Sequence, residues 1–576
     1  MIKVRLEREG DIGVVVIDNP PVNAGSAAVR QGLLNCIASV DADPSLIAGV
    51  LIGSGNTFIS GSDLKEFDLP LDPPQLPHVI EAIEHSAKPW IAALHGAALG
   101  GGFELALGCD MRIAHPGTMV GLPECGLGMI PGAGGIQRLT RLIGRIRAIE
   151  LITSSRRIEA SEAAALGMID EIVTGDLRLA AITAAKALNN KCRLVEKPVP
   201  PEHEADIFAA EELAVATGRR RPHILSAIRH IEAVGNLPFN EGLMAEREDF
   251  QKFRTSPDAR AYRHVFFAER AAGRVHTEFK AKMPSRLGIV GACEAACAIA
   301  LAGVLAGRHV TIFDTDRESL KASIDVGLRE NVNEGSLSVA NAQAARDRLS
   351  VESDIGGLSK CESVITAIDE STAAGTSVLS RTGSRLFSLT LGADNSVDLH
   401  FINPWDRDSA VEVIRTETSS ASSLAHGVAF ARACGYKAVI AGNAPGFIGQ
   451  RIHAAYRNAC DTMAAEGVST LKINEALIAF GFADGPLTVN GERFAEVDLE
   501  ISEVKLTEGD IQREALTAMV REAERVLEEG TAETPGDVDV VMVNGFGFPR
   551  WLGGPLYWAT SDAGHDILGS GVPKSA

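Results

Sequence analysis

The chain has 576 residues, 45% of them hydrophobic and 23% charged, a composition that excludes an intrinsically disordered protein and predicts several folded domains. The formal net charge of −20 argues against nucleic acid or an anionic membrane as a partner, and the nine widely spaced cysteines predict neither a disulfide framework nor a metal site. The apolar segments are too short to span a bilayer and the N-terminal segment lacks the pattern of a secretory signal, so we expect a cytoplasmic protein.

Strands and helices alternate among the first predicted elements. Short apolar runs at residues 14–18, 48–52 and 89–94 predict buried strands, and residues 26–40 predict a helix after the first of them. Three glycines at residues 100–102 then precede a helix-compatible segment. Glycines at this place let the backbone turn sharply and leave the first helical amides unpaired.

A second strand–helix–strand pattern begins with the apolar segment LGIV and the turn GACEAA, which starts at Gly291. The turn is close to the G-x-G-x-x-G turn that holds a dinucleotide pyrophosphate, but Cys293 replaces its second glycine and Ala296 its third. Asp314 follows Ala296 by 18 positions, near the roughly 20 at which a carboxylate binds the ribose. We divide the chain into an α/β domain, a helical linker, a Rossmann-like domain and a shortened helical C-terminal domain, at residues 1–190, 191–282, 283–443 and 444–576.

Three segments of the first domain carry a family resemblance. FISGSDLKEF (58–67), LGGGFEL (99–105) and LPECGLGMIPGAGGIQRLTR (122–141) resemble, in this order, the two oxyanion loops and the second catalytic segment of the crotonase family. The resemblance covers about residues 1–190. It implies a crotonase fold, a spiral of ββα units, and an enoyl-CoA hydratase that needs no cofactor beyond the coenzyme A of its thioester substrate.

Four residues of this domain match functional positions of the family. By the motif match, the backbone amides of Ser62 and Gly101 would donate to the thioester oxygen, where hydration builds up negative charge. Glu104 would orient and deprotonate water, and Glu124 would exchange the proton at the α-carbon, since two carboxylates around one water divide the base and acid roles. With a 3-enoyl substrate Glu124 alone would give an isomerase, and the family also contains hydrolases.

The second half of the chain carries a further resemblance. HFINP, which begins at His400, together with Glu412 resembles the catalytic pair of 3-hydroxyacyl-CoA dehydrogenases, in which imidazole takes the hydroxyl proton and the carboxylate fixes its tautomer. PFNEGLMAEREDF (238–250), HVFFAER (264–270) and GFGFPRWLGGPLYWA (545–559) extend the resemblance to the multifunctional enzymes of fatty-acid β-oxidation. It implies an NAD site at Gly291, Cys293, Ala296 and Asp314.

Several positions depart from the dehydrogenase pattern. Cys293 would place a sulfur where phosphate oxygens bind, Leu391 stands at the position of a serine that bonds the substrate, and Gln450 stands at that of an asparagine. A segment between the two C-terminal helical units of the family is also absent. We therefore expect a hydratase whose dehydrogenase module is impaired in hydride transfer.

Two alternatives remain open at this stage. The first is a bifunctional hydratase and NAD-dependent dehydrogenase, and the second is a non-catalytic second half that docks a partner or holds an acyl-CoA. A thiolase and a further copy of the chain, forming a homo-oligomer, are the candidate protein partners.

Overall fold

The computed structural model describes residues 3–70, 72–275, 281, 284–291, 293–313, 317–333, 337–352, 354–367, 386–390, 396–489, 492–493 and 506–569. The chain divides into two compact units, Met1–Arg263 and His264–Ala576. The finer boundaries at residues 190, 282 and 443 stay predictions. Asp314 and Leu391 lie outside the described residues.

The strands of the first unit are β1 (Val4–Glu9), β2 (Ile12–Ile17), β3 (Ala48–Gly53), β4 (Trp90–Leu94), β5 (Ala97–Leu99), β6 (Met111–Ala114), β7 (Met119–Gly121), β8 (Ile158–Glu159) and β9 (Glu171–Ile172). They form a six-stranded sheet of order β1-β2-β3-β4-β6-β9 and a three-stranded sheet of order β5-β7-β8. The larger sheet is parallel except for the β1–β2 pair. Every residue of β2 is buried, because helices and loops cover both faces of a parallel sheet.

The helices of the first unit are α1 (Ala27–Ala42), α2 (Leu76–His85), α3 (Gly101–Leu107), α4 (Gly135–Ile143), α5 (Arg145–Thr153), α6 (Ala160–Ala165), α7 (Leu177–Ala187), α8 (Glu204–Thr217), α9 (Pro222–Ala233) and α10 (Phe239–Arg254). Helix α11 (Pro257–Ala271) contains the division between the units. Val15 and its neighbour Val14 belong to different apolar clusters, since successive strand side chains point to opposite faces of a sheet. The three strands and the helix predicted for this region are confirmed.

The strands of the second unit are β10 (Arg286–Val290), β11 (His309–Phe313), β12 (Leu349–Glu352), β13 (Ser363–Ala367), β14 (Leu386–Thr390), β15 (Ser396–Phe401), β16 (Ala410–Arg415), β17 (Lys437–Gly442), β18 (Thr488–Val489) and β19 (Glu492–Arg493). The first eight form one sheet of order β12-β11-β10-β13-β14-β15-β16-β17. Strands β10 to β13 are parallel, as in a Rossmann-like domain, whereas β14 and β15 pair antiparallel with both neighbours.

The helices of the second unit are α12 (Glu294–Leu305), α13 (Arg317–Asn333), α14 (Val339–Arg346), α15 (Ala421–Ala433), α16 (Gly449–Ala465), α17 (Thr470–Phe480), α18 (Glu508–Glu528), α19 (Pro535–Phe546), α20 (Pro555–Ala559) and α21 (Asp562–Leu568). The last six are C-terminal to the sheet and share one apolar cluster. The predicted α/β class with a helical C-terminal part is confirmed. Among the described helices, none has the length and apolar character that crossing a membrane requires.

Candidate functional site

The backbone amides of Ser62 and Gly101 lie close together in the first unit. A side-chain carbon on Gly101 would lie 2.7 Å from Ser62 Oγ and 3.8 Å from Ser62 N. Gly101 is the first residue of α3, and the amides of a first helical turn have no acceptor within the helix. In the described part of the chain, neither amide donates to a protein group. A small cleft lies beside them, lined by the apolar side chains of Val29, Leu33, Ile59, Leu76 and Leu105.

Glu104 is held by the loop that precedes α4. The side chain belongs to α3 and is 3% exposed, and its Oε1 accepts the amides of Ala133 at 2.7 Å and of Gly135 at 2.9 Å. Gly135 has to be a glycine because a Cβ there would lie 2.8 Å from the same oxygen. Burial raises the pKa of Glu104 and the two amides counteract that rise, since they stabilise the charged form.

Glu124 lies against the start of α3. It belongs to the 3-10 turn Pro123–Leu127, and a Cβ on Gly100 would lie 2.8 Å from its Oε1. Its Oε2 is enclosed and has no hydrogen-bond partner among the described residues. Burial and the neighbouring charge of Glu104 hold the pKa of Glu124 well above the usual range of a carboxyl. Two carboxyls with different surroundings are thus placed to act as a base and an acid.

Sequence reasoning missed a third carboxyl in this region. Glu246 belongs to α10, within the predicted linker, and is fully buried. Its oxygens accept the amides of Gly134 at 2.9 Å and of Gln137 at 3.3 Å, in the loop that also holds Glu104. No spacing in the sequence signals this contact, which joins residues 112 positions apart.

In the second unit, the structure pairs His400 with Glu412 as predicted. The two residues face each other on strands β15 and β16, with His400 Nδ1 2.5 Å from Glu412 Oε2. Glu412 Oε1 accepts the amides of Ile448 at 2.9 Å and of Gly449 at 3.0 Å. His400 Nε2 is enclosed and has no partner among the residues that the structure describes. This nitrogen is therefore the one left to contact a substrate hydroxyl.

The GACEAA turn differs from a dinucleotide-binding turn in one respect that the sequence interpretation overlooked. Gly291 has a φ of 108°, Cys293 caps α12 and packs against the apolar core, and Ala296 is fully buried. Glu294, the first residue of α12, accepts a 3.0 Å hydrogen bond from Trp405 Nε1 through its carboxylate. A carboxylate of the protein itself is thus carried by the first residue of α12, at a helix N-terminus of the kind that binds a pyrophosphate in dinucleotide-binding turns.

Comparisons with known proteins cover almost the whole chain. Residues 7–213 match the enoyl-CoA hydratase/isomerase family. The peroxisomal bifunctional enzyme of Danio rerio is 28% identical over 95% of this chain and 91% of that protein, and that of Homo sapiens is 27% identical over 96% and 91%. The fatty acid oxidation complex subunit alpha of Shewanella amazonensis is 26% identical over 95% of this chain and 93% of that protein.

The Danio rerio alignment also bears on the length of the chain. It spans 660 positions, whereas this chain has 576 residues, so at least 84 aligned positions (660 − 576) hold no residue of this chain.

Proposed function

We propose that the first unit hydrates 2-enoyl-CoA thioesters, since residues 7–213 match the enoyl-CoA hydratase/isomerase family and almost the whole chain is similar to bifunctional enzymes. The observation that carries the proposal is the convergence of two unpaired amides, those of Ser62 and Gly101, with the buried carboxyl of Glu104 and the partly enclosed carboxyl of Glu124. An unpaired amide or a buried carboxyl on its own also occurs where it has only a structural role. Together they supply a charge-stabilising site, a base and an acid near the start of α3.

The chemistry follows from where charge develops. Water adds its oxygen to C3 of the enoyl group while Glu104 takes one of its protons, and Glu124 gives a proton to C2. Negative charge develops on the thioester oxygen, where the amides of Ser62 and Gly101 stabilise it. Loss of one such donor lowers the rate about 10²–10³-fold. The raised pKa of Glu124 favours its protonated form, which an acid requires, whereas two amides favour the ionised form of Glu104.

A hydration assay on the full chain tests the proposal. A short 2-enoyl-CoA is mixed with the protein, the enoyl absorbance is followed, and the product is identified by mass. We expect loss of absorbance and a product heavier by one water. The same protein is given the 3-enoyl isomer, where appearance of 2-enoyl absorbance would establish the isomerase alternative. Neither reaction at micromolar enzyme would reject the assignment.

For the second unit we propose a dehydrogenase-like module in which NAD binding is impaired by Glu294. The hydrogen bond to Trp405 holds this carboxylate at the start of α12, and its negative charge opposes a pyrophosphate at the same place. The intact pairing of His400 with Glu412 favours the bifunctional enzyme as the second candidate. NADH titration followed by thermal stabilisation separates the two, because a ligand that binds the folded state raises its stability.

The acyl-CoA thioester is the substrate in both candidates, and hydration itself requires no cofactor. A non-catalytic second half, a thiolase partner, a homo-oligomer and the cytoplasmic location stay predictions.

A further inference from the structure

Four amides of residues 133–137, a loop that continues into the first turn of α4, are divided between two carboxyls in the first unit. Ala133 and Gly135 donate to Glu104, whereas Gly134 and Gln137 donate to Glu246. The loop therefore lies between α3, which carries Glu104, and α10, which carries Glu246. A shift of the loop toward either carboxyl lengthens the hydrogen bonds to the other, so the positions of the two carboxyls are coupled.

The neighbours of Glu246 fix the same loop from other directions. Arg247, the next residue of α10, donates to the carbonyl of Gly132 at 3.0 Å. Arg138 of α4 donates to the carbonyl of Ala133 at 3.0 Å and forms a two-bond ion pair with the buried Glu84. Arg138 and Arg247 thus bind backbone carbonyl groups at the start of this segment. Glu246 supplies the acceptors for the amides of Gly134 and Gln137, which Glu104 does not bind.

We propose that Glu246 is a positioning residue for hydration, which acts by holding residues 133–137 so that the amides of Ala133 and Gly135 keep the carboxylate of Glu104 in place. This inference rests on the proposed hydratase function and adds a residue that lies beyond the region matched by the enoyl-CoA hydratase/isomerase family, residues 7–213. Hydration by the first unit would then depend on α10, a helix of the predicted linker. Loss of alignment by a fraction of an ångström far from the reacting atoms is enough to reduce turnover.

The charges around Glu246 predict a second effect of its removal, on the pH dependence of hydration. Glu104 on α3, Glu124 in the 3-10 turn, Arg138 on α4 and Arg247 on its own helix all interact with its carboxyl electrostatically. Burial and the charge of Glu104 raise the pKa of Glu246 to about 8. Above that pH the ionised Glu246 opposes ionisation of Glu124, so its removal moves the alkaline limb of the activity profile to lower pH.

The experiment compares Glu246→Ala and Glu246→Gln in the full chain with Glu248→Gln, an exposed glutamate of the same helix, as the matched control. Alanine removes both acceptors, and we expect kcat to fall about a hundredfold with KM within about twofold of wild type. Glutamine keeps an acceptor for Gly134, so we expect the kcat of this variant to fall only about threefold. We also expect the alkaline limb of its pH–activity profile to lie at lower pH than that of wild type. Glu248→Gln should match wild type in all three measurements.

Two outcomes would overturn the inference. The first is a Glu246→Ala protein with the kcat of wild type, and the second is a Glu246→Gln protein with an unchanged alkaline limb. If the alanine variant does not fold, the pH profile of the glutamine variant alone decides. A wild-type chain without hydration would instead reject the proposed function, and it is measured first so that the two failures are distinguished.

Discussion

Glu104 in the first unit and Glu412 in the second are anchored in the same way. Each accepts two backbone amides through its Oε1, Glu104 from the loop that opens α4 and Glu412 from the residues that open α16. The positioned acid–base groups are therefore present in both units. The two units differ at the place where a ligand would bind. The amides of Ser62 and Gly101 have no protein partner among the described residues. In the second unit, the helix that follows the GACEAA turn begins with Glu294, whose carboxylate is bound by Trp405.

The pairing of His400 with Glu412 and the start of α12 have separate structural requirements. His400 and Glu412 are buried and joined by a hydrogen bond through His400 Nδ1, so the fold stabilises this pairing whether or not a cofactor binds. An anion at the start of α12 stabilises that helix through its dipole, and this gain also requires no cofactor. A retained His–Glu pair is therefore weak evidence for retained hydride transfer.

The largest effect is expected from the two carboxyls of the first unit. Glu124→Gln and Glu104→Gln each remove a proton-transfer group while keeping its size, and we expect hydration to fall about 10²–10⁴-fold with little change in thermal stability. The measurement is the loss of enoyl absorbance. Glu81→Gln, an exposed glutamate of α2, is the control and should retain wild-type turnover. Wild-type rates in both active-site variants would place the chemistry elsewhere.

A smaller effect is expected from the oxyanion loop. Gly101→Ala places a Cβ 2.7 Å from Ser62 Oγ and 2.8 Å from Leu76 Cδ2, so these side chains must move and the methyl group occupies space beside the two amides. We expect kcat to fall about 10²-fold, as for loss of one donor to an oxyanion. Gly175→Ala is the matched control because its Cβ would meet no atom within 4 Å. Equal turnover of the two alanine variants would show that these amides do not stabilise the transition state.

A still smaller effect is expected in the second unit, on the affinity for NADH. Glu294→Ala removes the carboxylate from the start of α12, and Trp405→Phe removes its hydrogen-bond donor. We expect NADH to bind about tenfold more tightly to the Glu294 variant, measured by titration of cofactor fluorescence. Glu514→Ala, an exposed position on α18, serves as the control. Unchanged affinity would mean that another feature of the turn excludes the cofactor.

The smallest effect concerns stability. Because the pKa of Glu246 is raised from 4.5 to about 8 in the folded protein, the folded state holds more protons than the unfolded state between these values. Stability from this group is therefore present below the unfolded pKa and is lost as pH rises through about 8. We expect the thermal midpoint of wild type to fall relative to that of Glu246→Gln between about pH 5 and about pH 9. Parallel midpoints would show that Glu246 does not titrate in this range.

The sequence predicted the local parts of this account and missed the long-range ones. The strands, the helix after Ser26, the oxyanion loops and the pairing of His400 with Glu412 depend on apolar patterns and on motifs within short segments. The bond from Gly134 to Glu246 joins residues 112 positions apart, and that from Trp405 to Glu294 joins residues 111 apart. Such contacts are set by tertiary packing, which periodicity does not encode.

One measurement tests the central claim most directly. The full chain is given a short 2-enoyl-CoA together with NAD, and enoyl absorbance and NADH fluorescence are followed as separate signals, with 3-hydroxyacyl-CoA added directly in a parallel sample. We expect the enoyl signal to fall while NADH does not appear in either sample. NADH formed from the 3-hydroxyacyl-CoA at a rate comparable to hydration would contradict the account, because Glu294 would then not exclude the cofactor.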